Sequence, residues 1–380
     1  MITMQPRTSR RLAAEHGYTI MEMMVSMAIL MTIMGATMTA IINAMRTNET
    51  GLMTTEMNGT LRTGMDLMVR DLLQAGQGLP PGHVIAIPSG VGAQTIRLPG
   101  PPGTNFTTTL GDVDIPAVIP GAGLGPVVNG VATDIITVLQ ADGAFDHVPL
   151  TNLQDDRMTV ALPAVIASGL DISNGGPDDL LAGQLVMLEK GTETTLVQVT
   201  AVDNIQTAFF TVGDSLRLNQ TGAAAGNVPA LRAAAPPDVL PAAPAPQVIP
   251  TTATRIRMIT YYLDTTTTPN RPRLVRRMNN GDPAVFNNSL GSTVAFEVTN
   301  LQLTYDLADG GANPTNVVLD VNDLTGGGAC APSPCQSNQV RKVNVALTSR
   351  GRRTVAGLTF GNTLASQVSL RSMAFVDRYR

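Results

Sequence analysis

Met23–Met45 runs for twenty-three residues without a single charge, and Glu22 stands directly before it. As a helix rising 1.5 Å per residue, that run spans about 35 Å, enough to cross a bilayer. A carboxylate drawn into lipid costs roughly 2.5–3.5 kcal/mol even on lenient insertion scales, so an acid in this place reads as functional. Upstream, the polar stretch Met1–His16 carries Arg7, Arg10 and Arg11. The positive-inside rule keeps these arginines cytoplasmic and places the rest of the chain outside. A cleavable secretory signal has a shorter apolar stretch, about 7–15 residues, with its cleavage site after it. An uncleaved single-span anchor fits the length but leaves Gly17 and Glu22 without a role.

Methionines recur through this run with a clear period. Met24, Met31, Met38 and Met45 are seven apart, and Met27, Met34 and Ile41 stand three residues further on. That spacing is an a/d seam of period 3.5, the pattern of helices packed against near-parallel neighbours. Soft thioethers also select Cu(I), but flexible side chains filling gaps between packed helices account for the stripe. Gly35 and Ala36 allow close approach of a partner backbone. Past Met45 the pattern turns amphipathic, with Met53, Met57, Leu61, Met65, Met68 and Leu72 on one face. The spacing predicts one helix from about Tyr18 to Gln74. Gly51, Gly59 and Gly64, each costing about 1 kcal/mol against Ala, mark places where it bends or loosens. Gly76, Gly78 and Pro80-Pro81 end it.

The remainder is poor in charge and in aromatics, rich in Gly and Pro, and has no Trp, a composition of strands and turns. Asp134–Gln140 and Leu185–Val202 carry β-branched runs, the second folded at Lys190-Gly191 into a hairpin, and Thr207–Val212 adds a strand. Residues 222–250 are Ala- and Pro-rich without periodicity and read as a semi-rigid linker. Beyond it, Arg255–Leu263, Arg273–Arg277, Val294–Val298, Leu301–Leu307, Val317–Val321, Val340–Thr348 and Val368–Val376 have strand length and meander spacing. The expected fold class is α+β: a long N-terminal helix, transmembrane and then amphipathic, packed on a β-rich antiparallel globular head. The regions are 1–17, 18–45 (apolar helix), 46–78 (amphipathic helix), 79–221 (β-containing), 222–250 (linker) and 251–380 (C-terminal antiparallel sheet).

Gly17-Tyr18-Thr19-Ile20-Met21-Glu22 after a basic leader resembles the signal of type IV prepilins, with Glu at the fifth mature position. The stretch Ile259–Leu263 (ITYYL) followed by Leu274–Arg277 (LVRR) is similar to that of PilW-type minor pilins and the related J-type pseudopilins of type II secretion. Phe296–Asp306 (FEVTNLQLTYD) and Leu67–Gly76 (LMVRDLLQAG) add looser similarities, and Val343–Thr348 and Leu370–Asp377 occupy the places of the last strands. Tyr18 departs from the commoner Phe or Met, and the head is larger than that of a major pilin. The resemblance implies a pilin-like fold and cleavage after Gly17 by a membrane prepilin peptidase. It also implies N-methylation of Tyr18 and entry into a filament guided by Glu22, whose charge the new Tyr18 amine would neutralise. The implied partners are other pilins through the N-terminal helix, an inner-membrane assembly platform, and membrane lipid before assembly. The implied location is the inner membrane with the head in the periplasm, then the filament.

Loss of the leader removes three arginines and Glu15, taking the formal net charge from −4 to about −6. That leaves no electrostatic footprint for nucleic acid. Cys330 and Cys335 lack redox or zinc spacing. They read as a small loop-closing disulfide, the alternative being two free thiols. The acids Asp142, Asp146, Asp155, Asp156, Asp178, Asp179, Asp306 and Asp309 do not match a calcium loop and read as solvated turns. No catalytic constellation, metal or cofactor is expected, so an enzyme is not. Two classes of function stay open. One is a structural minor pilin or type II secretion pseudopilin that primes or caps a filament; the other is a filament-tip adhesin or uptake module acting through its head.

Overall fold

The computed structural model describes residues 17–374 except 81, 102–103, 105, 151, 154–158, 162–179, 203–206, 226–250, 267–268, 270, 280–290, 309–313, 322, 324–338 and 356–357. The chain divides into two units, Met1–Thr54 and Thr55–Arg380. Helix α1 (Ile20–Leu73) runs unbroken for 54 residues. In its charge-free part each hydroxyl is satisfied inside the helix. Ser26 donates to Met23 O, Thr32 to Ile29 O, Thr37 to Ile33 O and Thr39 to Gly35 O, at 2.7–3.0 Å. Four hydroxyls therefore add little polar surface to the outside of this stretch.

In the second unit, Met57, Leu61, Met65, Met68 and Leu72 are buried, as their spacing predicts. Gly64 corrects one expectation, since the helix neither breaks nor loosens there. A Cβ at this position would lie 3.0 Å from Ala295 Cβ and 3.2 Å from a Leu274 methyl, so glycine serves a close approach to the sheet. Gly51 and Gly59 face open space and leave the helix continuous. Gly59→Ala should therefore stabilise the chain by about 0.4–1 kcal/mol. Gly64→Leu should cost about 1–3 kcal/mol despite its better helix propensity. Thermal melts followed by circular dichroism check both signs.

The helix ends where expected. Gly76 and Gly78 take φ of 78° and 69°, open to glycine without strain. The Gly76 N–H donates to Leu139 O, Ala141 N–H donates to Gln77 O, and a Cβ on Gly78 would meet Ala141 Cβ at 2.6 Å.

Strands β1 (Val118–Gly121), β2 (Ile135–Ala141), β3 (Leu185–Lys190), β4 (Glu193–Gln198), β5 (Thr252–Asp264), β6 (Arg273–Met278) and β7 (Ser292–Phe296), with Val148–Pro149, form one antiparallel sheet. β5 is its spine. Along one edge it pairs with β2 from Ile256 to Tyr261 and with 148–149 at Thr252 and Ala253. Its other edge is shared by two strands: β3 covers Thr252–Ile256 and β6 covers Ile259–Asp264. Between them the backbone of Met258 would be left unpaired. Asn279, left-handed at φ 52°, fills the gap: its N–H donates to Met258 O, and its Oδ1 accepts from Met258 N–H at 2.9 Å. Regions 79–221 and 251–380, expected as successive units flanking a linker, thus share one sheet. Of residues 222–250 only the 3-10 turn Gly222–Ala225 is described.

Strands β8 (Val298–Leu307), β9 (Val340–Val355) and β10 (Leu358–Ser369) form a three-stranded meander. The chain passes from β7 to β8 at Glu297, φ 58°, so the expected strand Val294–Val298 is divided there and β8 begins at Val298. Val317–Val321 makes only a single bridge, Val317 to Tyr305. The expected strand Val368–Val376 is not formed among the described residues: the strand here is Leu358–Ser369, which takes in only Val368 and Ser369 of it, and a 3-10 turn, Ser372–Ala374, follows. β5 is buried on both faces, and its side chains alternate between two cores. Tyr261 packs with Leu61, Met65, Met68 and Leu72 of α1, and Tyr262 packs on the opposite side with Ile85, Ile119 and Leu139. A further cluster, around Phe145, Val186, Leu188 and Phe210, lies along β3 and β4.

Candidate functional site

Gly17, Tyr18 and Thr19 precede α1 in non-helical backbone and are exposed. Thr19 is the N-cap, and Glu22 stands three residues on. The Glu22 N–H donates to Thr19 Oγ1 at 3.3 Å, and the Thr19 N–H donates back to Glu22 Oε2 at 3.2 Å. The Thr19 hydroxyl also lies 3.3 Å from that oxygen. This reciprocal capping box satisfies two orphan donors of the first turn and sets the carboxylate at the positive end of the helix dipole. In the uncleaved chain the partner of Glu22 is Thr19. The signal was legible as T-x-x-E opening an apolar run.

Met24, Met27, Met31, Met34, Met38 and Met45 are all exposed, and so are Val25, Ile29 and Ile33 on other faces of the same helix. The mean hydropathy of the most apolar window is 2.0, and α1 is the one helix among the described residues long and apolar enough to cross a membrane.

At the other end of α1, a polar clamp joins helix to sheet. Asp71 is buried on the face that carries Met68 and Leu72. Its Oδ2 accepts the Tyr261 hydroxyl at 2.6 Å and the Arg276 Nε–H at 2.6 Å, and its Oδ1 accepts a second Arg276 N–H at 3.2 Å. Tyr261 and Arg276 are direct cross-strand partners on β5 and β6, so the ladder register delivers both to one carboxylate. Burial, then the Asp71 charge, pushes the Tyr261 phenol far above its ordinary range. Burial opposes the charge on Arg276, but the Asp71 hydrogen bond and charge hold its pKa above the usual value. The stretches LMVRDLLQAG, ITYYL and LVRR, quoted separately from the sequence, meet here. The convergence was missed because nothing in the sequence states which residues of β5 and β6 stand opposite each other.

Two other expectations change. Asp142 is not a solvated turn acid: it is buried against Arg255 at 2.6 Å and Arg257 at 2.7 Å. Burial pushes its carboxyl up, but Arg255, the Ala144 N–H and Arg257 outweigh that and hold it below the usual range. Asp306 is buried too, accepting from Asn344 at 2.9 Å and Gln367 at 3.1 Å. Asp146 stays exposed and bonds His147 at 2.6 Å. Cys330, Cys335, Asp155, Asp156, Asp178, Asp179 and Asp309 lie outside the described residues, as do Arg7, Arg10 and Arg11. Among the described residues, no three His, Cys, Asp or Glu side chains gather as a metal site.

His83 is buried beside the helix end. Its Nδ1 lies 3.3 Å from Gly76 O, and its Nε2 has no partner among the described residues. Burial lowers its pKa below the ordinary 6.5; the Gly76 bond raises it and Arg341 lowers it. The folded chain therefore binds this proton more weakly than the unfolded chain. The stability His83 contributes is complete above pH of about 6.5 and is lost as pH falls below it. His83→Asn tolerates the positive φ of 54° and cannot take up that proton. It should melt less steeply between pH 8 and 5.5 than the parent.

No family model, curated protein or solved structure matches this chain.

Proposed function

We propose that this chain is a prepilin-like subunit of low abundance, a minor pilin or pseudopilin. It is anchored by α1 in the inner membrane, processed between Gly17 and Tyr18, methylated at Tyr18 and inserted into a type IV filament to prime or cap assembly. The observation that carries this reading is the capped Glu22 at the mouth of a charge-free, fully exposed helix. In the precursor the carboxylate is tied to Thr19 in its own turn, so it sits at headgroup level without a partner from elsewhere. Leader removal would put a positive amine on Tyr18, next to the Thr19 N–H that already holds Glu22. The pair is then ready to be buried among neighbouring helices, where such ion pairs fix register more than they stabilise. The methionine seam supplies adaptable apolar contacts for those neighbours.

A filament preparation tests this reading. Sheared filaments should contain the chain at low stoichiometry, and it should vanish from them when the prepilin peptidase is deleted. Loss of enzyme secretion with pili intact, on deleting the chain, would move it to the type II secretion pseudopilus. Absence from both filaments, with both processes unaffected, would refute the reading.

A further inference from the structure

The β8–β9–β10 meander buries one face and turns the other toward solvent, and between Asp306 and Lys342 at one end and Arg350 at the other that face carries no charge. Antiparallel register sets its side chains in cross-strand rows. Asn300, Thr348 and Thr363 form one row, and Thr304, Asn344 and Gln367 another. The row between them is Gln302, Ala346 and Ala365, and its two alanines leave a depression of about 340 Å³ floored by the sheet. That volume is at the small end of ligand pockets, which run about 300–1,000 Å³.

The polar groups around the depression are held in place. Gln367 Nε2 donates to Asn344 Oδ1 at 2.8 Å and to the buried Asp306 at 3.1 Å, and Asn344 Nδ2 donates to the other oxygen of Asp306. The Thr348 and Thr363 hydroxyls are 3.0 Å apart. Gln302 Nε2 is fixed by Ala132 O at 2.9 Å, while its Oε1 accepts from none of the described residues. Asp306 thus anchors a lattice of amides whose geometry exists before any ligand arrives, which lowers the ordering cost of binding.

The chemistry of the rim selects the ligand class. Anions call for clustered Arg or Lys, and no Arg or Lys lines the depression. Nucleobases call for aromatic platforms, and no aromatic side chain lines the depression. Apolar ligands call for an apolar wall. The N–H groups of Gln302, Asn344 and Gln367 are committed inside the protein, so the carboxamides present acceptor oxygens, which a ring bearing several hydroxyl donors matches. Strands about 4.8 Å apart, with same-face residues about 6.8 Å apart along each, bring several such groups within reach of one sugar ring.

We propose that this depression binds a neutral saccharide of one or two rings, held by Gln302, Asn344 and Gln367 and seated over Ala346 and Ala365. The site is independent of the N-terminal segment, so it stands or falls apart from filament assembly. With a handful of hydrogen bonds competing against water, affinity is on the order of millimolar.

The test is saturation-transfer NMR on the full chain in lipid nanodiscs. The probes are glucose, galactose, mannose, N-acetylglucosamine and their disaccharides, with N-acetylneuraminic acid as the anionic control. At least one neutral sugar should receive saturation and the acid sugar should not. Ala365→Phe, an exposed position whose new ring fills the depression, should weaken binding at least tenfold. Gln302→Ala should weaken it severalfold, and a melt unchanged from the parent certifies the fold of either variant. The proposal is overturned if no neutral sugar binds, if the acid sugar binds in preference, or if a correctly folded Ala365→Phe binds as the parent does.

Discussion

Asp71→Ala should lower the unfolding free energy of the folded body by about 3–5 kcal/mol, the range for removing one partner of a buried ion pair. Truncation leaves the Arg276 guanidinium, mostly covered, facing an apolar helix, and it strips the Tyr261 hydroxyl of its acceptor. Tyr261→Phe removes one hydrogen bond to a charged group and should cost less, about 1.5–3 kcal/mol. The double variant should cost less than the sum of the two, because both changes dismantle one network. A combined Asp71→Leu and Arg276→Met variant should recover much of the loss, since apolar replacement of both partners removes the unpaired charge. Denaturant titration of the parent and the four variants in parallel measures all of this. A cost below about 1 kcal/mol for Asp71→Ala would show that the clamp does not hold the helix end to β5 and β6.

The second large effect belongs to Glu22, and three substitutions separate its two roles. Glu22→Ala should leave membrane insertion intact and reduce recovery in sheared filaments at least tenfold. Loss of a helix cap alone costs only about 1 kcal/mol, too little to release a helix held by its apolar length. Glu22→Gln keeps the side chain that a capping box accepts but removes the charge. It should start the helix normally and still fail in filaments. Thr19→Val removes the cap and keeps the charge, so it should incorporate nearly as the parent does. Normal incorporation of Glu22→Gln would show that the carboxylate acts as a cap and that no charge pairing with the Tyr18 amine is needed.

The parts of this fold legible in the sequence are those written in local period. The helix was expected from Tyr18 to Gln74 and spans Ile20–Leu73, and its buried face follows the spacing from Met57 to Leu72. The Lys190-Gly191 hairpin and the strands near 135–141, 252–264 and 273–278 were visible because β-branched runs end at turn residues. What stayed hidden depends on pairing across distance. One long strand, β5, takes β2, β3 and β6 as partners, and this joins two regions that a proline-rich stretch had made look separate. Gly64 illustrates the same limit: within the helix it reads as a weakness, and only the nearness of Ala295 makes it a fit. Asp142 reads as a turn acid until Arg255 and Arg257 are brought to it. Near the N-terminus the T-x-x-E signature places the capping box in the sequence itself, because both partners lie within one helical turn.

Intact-mass analysis of the protein purified from membranes tests the central claim most directly. A processed filament subunit has a mass that begins at Tyr18 and includes one added methyl group. A mass that retains Met1–Gly17 in cells with an active prepilin peptidase would contradict it.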